Sequence, residues 1–143
     1  MRSKKIEELK ALTAEALLKK GFTIENGTTR SAGITEINGL AVVTTTVDMA
    51  DGGTCSLGNL TAGQYIRCDK TIRGTRYGFE ALLWLMAVAG VDRSDDLGGQ
   101  YVRVAFDKDG IARCIGHIVK DVWLDFKLLS EGIHEEEFQE GKA

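Results

Sequence analysis

One apolar segment near the middle of the chain constrains the fold more than any other. Glu80 is the only charged residue from Phe79 to Ala89, and the apolar side chains recur with the 3.6-residue period of a helix. Gly90 follows directly and is expected to end this helix in a left-handed conformation. Because a helix that is apolar on all sides must be covered on all sides, the segment predicts a central buried helix packed on a sheet and on a further layer.

Alternating segments on both sides of this helix predict an antiparallel β-sheet. Residues 40–49 are rich in valine and threonine, and Tyr101–Phe106 alternates so that Val102 and Val104 face the core. A loop is expected over residues 58–63. Glycine-containing turns are expected at Asn26-Gly27, Asn38-Gly39, Ala50–Gly53 and Asp107–Gly110. The predicted fold class is therefore α+β, with an antiparallel sheet.

The two ends of the chain predict different structures. Ser3 is a suitable cap for an amphipathic helix over about residues 4–20, which packs either on its own sheet or on a partner subunit. A single turn capped by Asp92 or Ser94 is expected after the central helix. Residues 131–143 are acidic and are expected to form a solvated, partly disordered tail. The whole chain, 1–143, is predicted to be one domain with its core over about 22–126.

Composition excludes several classes of function. The net charge of -3, from 18 basic and 21 acidic residues, argues against binding of long nucleic acid, which requires a broad basic field. The three cysteines and the histidines His117 and His134 have no metal-ligand spacing, so free thiols and no metal or cofactor are expected. No secretion signal or membrane span is recognisable, and a cytoplasmic location is expected.

Basic side chains are concentrated where they can bind an anion. Arg67, Lys70, Arg73 and Arg76 precede the central helix, whose first N–H groups attract negative charge. Arg76 is expected to pair with Glu80 one turn later, or else to be oriented by Glu80 toward a ligand.

Two further arginines, Arg103 and Arg113, are expected on neighbouring strands, where they repel each other unless an anion or an acid lies between them. With Tyr77 and Phe79 close to Arg76 in the sequence, this set combines the arginine forks and aromatic rings used in nucleotide binding. No nucleophile, general base or metal cluster accompanies them, so binding without turnover is predicted, and the chain is not expected to be an enzyme.

Three segments of the sequence form a recognisable pattern: IENGTTRS, RGTRYGFEALLWLMAVAGVDRSDDLGGQYVRVAF and IGHIVKDVW. In this order they resemble the first family of Thoeris anti-defence proteins, which are phage and prophage proteins, over about residues 22–123. The resemblance implies a cytosolic homo-oligomer that acts as a sponge. Members of that family sequester glycocyclic ADP-ribose signals made by bacterial TIR-domain proteins, and some also hold cyclic oligonucleotides.

The resemblance also implies roles for particular residues. In that family an aromatic ring stacks on the adenine of the signal, and arginines bind its pyrophosphate. The resemblance assigns the first role to Phe79 and the second to Arg103 and Arg113, with Arg76 and Tyr77 as neighbours. Candidates for a second, oligonucleotide site are Arg30 and Gly116. An asparagine that the family carries after the central helix is replaced here by the sequence Val91-Asp92-Arg93. Burial between subunits would also account for the apolar excess of the first and central helices.

These residues are compatible with three functions. The leading prediction is a non-enzymatic sponge for cyclic nucleotide signals. The alternative is an inhibitor that binds a host protein directly, through an exposed patch or through the acidic residues 95–96 and 135–137. A nucleotide-degrading enzyme is the least supported, because the chain offers no catalytic constellation.

Overall fold

The computed structural model describes residues 3–37, 40–66 and 71–140 and has an α+β architecture. The strands are β1 (Thr23–Ile37), β2 (Leu40–Met49), β3 (Thr54–Ile66), β4 (Thr71–Gly74), β5 (Tyr101–Phe106), β6 (Ala112–His117) and β7 (Trp123–Asp125). The helices are α1 (Lys4–Lys10), α2 (Ala14–Lys19), α3 (Arg76–Ala89) and α4 (Phe126–Glu140). All pairings are antiparallel, in the order β4-β3-β2-β1-β5-β6-β7, which confirms the predicted fold class.

Strand β1 is longer than the sequence predicted. It runs through Asn26-Gly27, so the turn expected there is wrong: the two flanks pair with β2 and β5 and not with each other. Glycine is needed at this point because a Cβ on Gly27 would lie 2.6 Å from Cγ1 of Val47. Ile37 pairs with Leu40 across residues 38–39, the predicted Asn-Gly turn, which lie outside the described residues.

The hairpin between β2 and β3 is confirmed, but the loop predicted over residues 58–63 is wrong. The N–H of Met49 donates to the carbonyl of Gly53 at 2.7 Å and closes the turn at residues 50–53. Strand β3 then continues through the predicted loop with two shifts of register against β2. One shift follows Gly58, whose φ of +93° favours glycine. A bulge of this kind bends a strand without ending it.

Helix α3 is confirmed, but only part of its surface is buried by the rest of the chain. The Thr75 hydroxyl accepts the Gly78 N–H at 3.1 Å and starts the helix, and Gly90 ends it with a φ of +71°. Ala81, Leu85 and Val88 are buried, and α3 packs on β1, β2, β3, β5, β6 and β7 around this core. Phe79 and Leu83, one turn apart, are 66% and 48% exposed. The expectation that all sides are covered is therefore wrong for the single chain.

Both chain ends differ from the prediction. The N-terminal helix expected over residues 4–20 is two short helices, because the Thr13 hydroxyl accepts the Ala16 N–H and starts α2 separately. The expected acidic tail is, as far as residue 140, the helix α4; residues 141–143 lie outside the description. Leu129 and Ile133 bury one side of α4 in the core, and α4 packs on α1 and α3.

The connection from α3 to β5 is tied to β1. It contains a short 3-10 turn at Ser94–Asp96, with Arg93 at its cap position and no side-chain cap bond, so the caps predicted at Asp92 and Ser94 are wrong. The buried hydroxyl of Thr29 donates to the Leu97 carbonyl at 2.6 Å and accepts the Gln100 N–H at 2.9 Å. These bonds set where β5 begins.

The structure also bears on the predictions for the cysteines, for His117 and for membrane spans. Cys55 and Cys114 are free thiols, while Cys68 lies outside the described residues. Nδ1 of the His117 ring accepts the N–H groups of Val119 and Lys120, both at 3.1 Å. Among the residues that the structure describes, no helix has the length and apolar character needed to cross a membrane.

Candidate functional site

Arg76 lies in the first turn of α3 and is engaged by two carboxylates. Its Nε donates to Glu80, and its Nη2 donates to Oε1 of Glu136 at 2.9 Å. Glu136 comes from α4, so this network joins the two helices. The hydrogen bond that Arg76 donates to Glu136, followed by the one that it donates to Glu80, raises the pKa of the guanidinium above its usual value. The predicted pairing with Glu80 is confirmed, and Glu136 is the partner that the sequence did not reveal.

The two aromatic residues after Arg76 have opposite environments. Tyr77 is buried in the core, where its hydroxyl has no hydrogen-bond partner among the described residues and where burial raises its pKa. Its ring is therefore inaccessible to a ligand at the surface. Phe79 is exposed, so its ring is available for stacking. Of the other predicted basic residues, Arg67 and Lys70 lie outside the described residues, and Arg73 belongs to β4.

Arg103 holds together the edge of the sheet. Its Nε donates to the His117 carbonyl at 2.7 Å and its Nη2 to the Lys120 carbonyl at 2.9 Å, so it binds both ends of the turn that follows β6. The guanidinium carbon lies 4.8 Å from the centre of the Trp123 ring, in a cation–π contact. These contacts account for Arg103 as a structural residue.

The two candidates for a second site lie apart from each other. Gly116 pairs with both Arg103 and Trp123, and the Trp123 ring covers it so closely that a Cβ would lie 2.5 Å from the ring. Arg30 lies at a register shift in β1 and holds Asp48 with two bonds, at 2.7 and 3.2 Å. The structure therefore explains Gly116 by packing and Arg30 by an ion pair.

Arg113 has a different environment from Arg103, although the two occupy adjacent strands. Arg103 pairs with Gly116, whereas Arg113 falls at a register shift three residues away, so they do not face each other. Nε of Arg113 donates to Oδ2 of Asp107 at 2.7 Å, and the side chain is 45% exposed. The bond from Arg113, together with the N–H of Ile111, lowers the pKa of the Asp107 carboxyl.

A cavity of about 460 Å³ opens beside Arg113, between β3, β6 and the start of α4. We call it the rim cavity, and its lining residues are Leu57, Gly58, Ala112, Arg113, Asp125, Phe126 and Lys127. Only glycine fits at position 58, since a Cβ there would lie 2.8 Å from the Val43 carbonyl. The bend of β3 at this glycine brings it against Phe126 and forms one wall.

The charges of the rim cavity favour an anion. Arg113 and Lys127 supply two cationic side chains. Asp125, the one acid among the described lining residues, caps α4 and accepts the N–H groups of Lys127 at 3.0 Å and Leu128 at 3.2 Å. Sequence reasoning missed Lys127 and Gly58, because the cavity forms only where a bulged strand meets the start of α4, a helix that the sequence did not predict.

The structure does not bring the predicted ligand residues into one site within a single chain. Arg76 and Phe79 lie at the start of α3, Arg103 and Gly116 lie at the Trp123 edge, and Arg113 lies at the rim cavity. Within the described residues no cluster of His, Cys, Asp or Glu is arranged to hold a metal ion. Comparisons with protein families, curated proteins and solved structures found no match to this chain.

Proposed function

We propose that the protein is a non-catalytic sponge that binds and sequesters a cyclic nucleotide immune signal, such as glycocyclic ADP-ribose, in the cytoplasm of an infected or lysogenic bacterium. The observation that carries the proposal is the rim cavity. Its volume of about 460 Å³ lies within the range of about 300–1,000 Å³ that is usual for small-molecule sites. Its two cations suit the phosphates, and the sequence resemblance supplies the class of signal.

Arg113 and Lys127 are the phosphate-binding residues in this proposal. A guanidinium binds phosphate through a planar fork, and Lys127 adds a second positive charge to the lining of the cavity. Asp107 keeps Arg113 in place without enclosing it, because the arginine remains 45% exposed. Arg103 is assigned to the fold and not to the ligand.

The proposal includes assembly into a homo-oligomer. Phe79 and Leu83 form an exposed apolar stripe on α3, which a second copy can bury. In such an assembly Phe79 of one copy is available to stack on a nucleotide held by Arg113 of another. Leu83→Glu tests this part separately: light scattering should show the mass falling to that of one chain, and an unchanged multimer, or a wild-type protein that is already a monomer, would contradict it.

A retention experiment tests the sponge itself. Purified protein is incubated with glycocyclic ADP-ribose, the free nucleotide is filtered off, and the retained protein is heat-denatured before both fractions are separated on a column. Intact signal released only on denaturation is the expected result for the wild type and for a control, Arg93→Gln, which removes an exposed arginine elsewhere. Signal free in the filtrate would contradict the proposal and favour a host-protein partner, and a new product would indicate an enzyme.

A further inference from the structure

A second cavity, of about 560 Å³, lies on the face of the sheet opposite α3. Its lining includes Asn26, Thr28, Asp48, Tyr101 and Ile118, and we call it the open-face cavity. Tyr101 alternates along β5 with Val102, which faces α3 in the core, so the tyrosine ring projects from the other face. The ring is 71% exposed.

The strand register brings these side chains together. Thr28 pairs with Tyr101 on β5 and with Asp48 on β2, so the three form a row across neighbouring strands about 4.8 Å apart. Ile118 follows His117, the partner of Val102, and so lies beside Tyr101. Asn26 lies two residues before Thr28 and therefore on the same face. The lining of the cavity therefore combines one aromatic ring with a polar edge.

The polar groups select the chemistry of a ligand. The Asp48 carboxylate is oriented by Arg30, at 2.7 and 3.2 Å, and by the Thr54 hydroxyl at 3.3 Å. Because the Arg30 guanidinium is already paired with Asp48, this edge offers no surplus positive charge to a phosphate, while the carboxylate can still accept a bond from a hydroxyl group. The Asn26 side chain offers both a donor and an acceptor, the combination that pairs with the edge of adenine. Tyr101 offers a stacking surface that any base can use.

We propose that the open-face cavity binds an uncharged purine nucleoside of the adenosine type. The base stacks on Tyr101 and beside Ile118, the Asn26 amide bonds to the base edge, and Asp48 accepts the ribose hydroxyls. This site goes beyond the proposed sponge, because its ligand carries no phosphate and because it lies on the other face of the sheet from α3.

Equilibrium titration with adenosine tests the site. The wild type should bind adenosine saturably, and Tyr101→Ala should weaken binding about tenfold, in line with the loss of one base–aromatic stack. Tyr101→Phe keeps the ring and should stay within about threefold of the wild type. The control Ile111→Ala removes an exposed apolar side chain at the β5–β6 turn and should bind normally.

Two outcomes would overturn the assignment. One is the absence of saturable adenosine binding at millimolar concentration, or binding that Tyr101→Ala leaves unchanged. The other is loss of adenosine binding in Arg113→Gln, which would place the nucleoside in the rim cavity. Adenosine binding that survives Arg113→Gln supports the site even if the protein fails to retain glycocyclic ADP-ribose, so the two proposals fail separately.

Discussion

Arg103 and Arg113 occupy adjacent strands and look equivalent in the sequence, yet their surroundings differ. Arg103 donates to two backbone carbonyls and lies over the Trp123 ring, so its charge is used to hold the turn after β6. Arg113 pairs with the Asp107 carboxylate and borders a cavity that is also lined by Lys127. The comparison indicates that an arginine's role depends on what its guanidinium already binds.

Removal of the Trp123 ring is expected to reduce the stability of the fold more than replacement of either arginine. It is fully buried, covers Gly116, supports Arg103 and donates to Oδ1 of Asp121 at 3.2 Å. Trp123→Ala should lower the free energy of unfolding by about 3–5 kcal/mol, the usual loss for a buried aromatic residue. Urea denaturation measures it, with the exposed Tyr101→Ala as a control that should lose far less. A loss for Trp123→Ala no larger than the control's would refute the role of the ring.

Replacement of Arg103 and replacement of Arg113 should lower the free energy of unfolding by different amounts. Arg103→Met keeps a long apolar side chain but leaves the His117 and Lys120 carbonyls without this donor, and it should lower the free energy of unfolding by about 2 kcal/mol. Arg113→Met removes only a partly exposed ion pair and should lower it by less than about 1 kcal/mol. Equal losses in urea denaturation would remove the distinction between the two residues.

The ion pair at the rim cavity makes a smaller prediction about pH. Because Arg113 and the Ile111 N–H lower the pKa of Asp107 below its ordinary 3.8, this carboxylate stabilises the fold above that pH and loses the contribution as the pH falls through its folded pKa. Arg113→Gln should move the pKa upward. NMR titration of the Asp107 carboxyl carbon measures the change, and an unmoved pKa would show that Arg113 is not the cause.

Local patterns were sufficient for some elements and not for others. The helical period of α3, the valine and threonine alternation of β2 and the turn at residues 107–110 are encoded by neighbouring residues. Asn26-Gly27 failed as a turn signal because pairing with β5, which lies far away in the sequence, keeps β1 extended.

Dependence on contacts between distant parts of the sequence also explains why some residues of the candidate site were not predicted. Residues 131–140 have a weak local pattern, and their helix depends on packing against α1 and on the bond from Arg76 to Glu136. The rim cavity requires the start of that helix to meet the bulge at Gly58. Arg113 was therefore identified from the sequence, whereas its cationic neighbour Lys127 was not.

The most direct test of the account is to titrate glycocyclic ADP-ribose into the wild type, Arg113→Gln and Arg103→Lys at a temperature where all three are folded. We expect the wild type to bind, Arg113→Gln to bind at least about tenfold more weakly through loss of a charge-assisted phosphate contact, and Arg103→Lys to stay within about threefold. Absence of binding by the wild type, or loss of binding in Arg103→Lys with retention in Arg113→Gln, would contradict the assignment of the rim cavity as the signal-binding site.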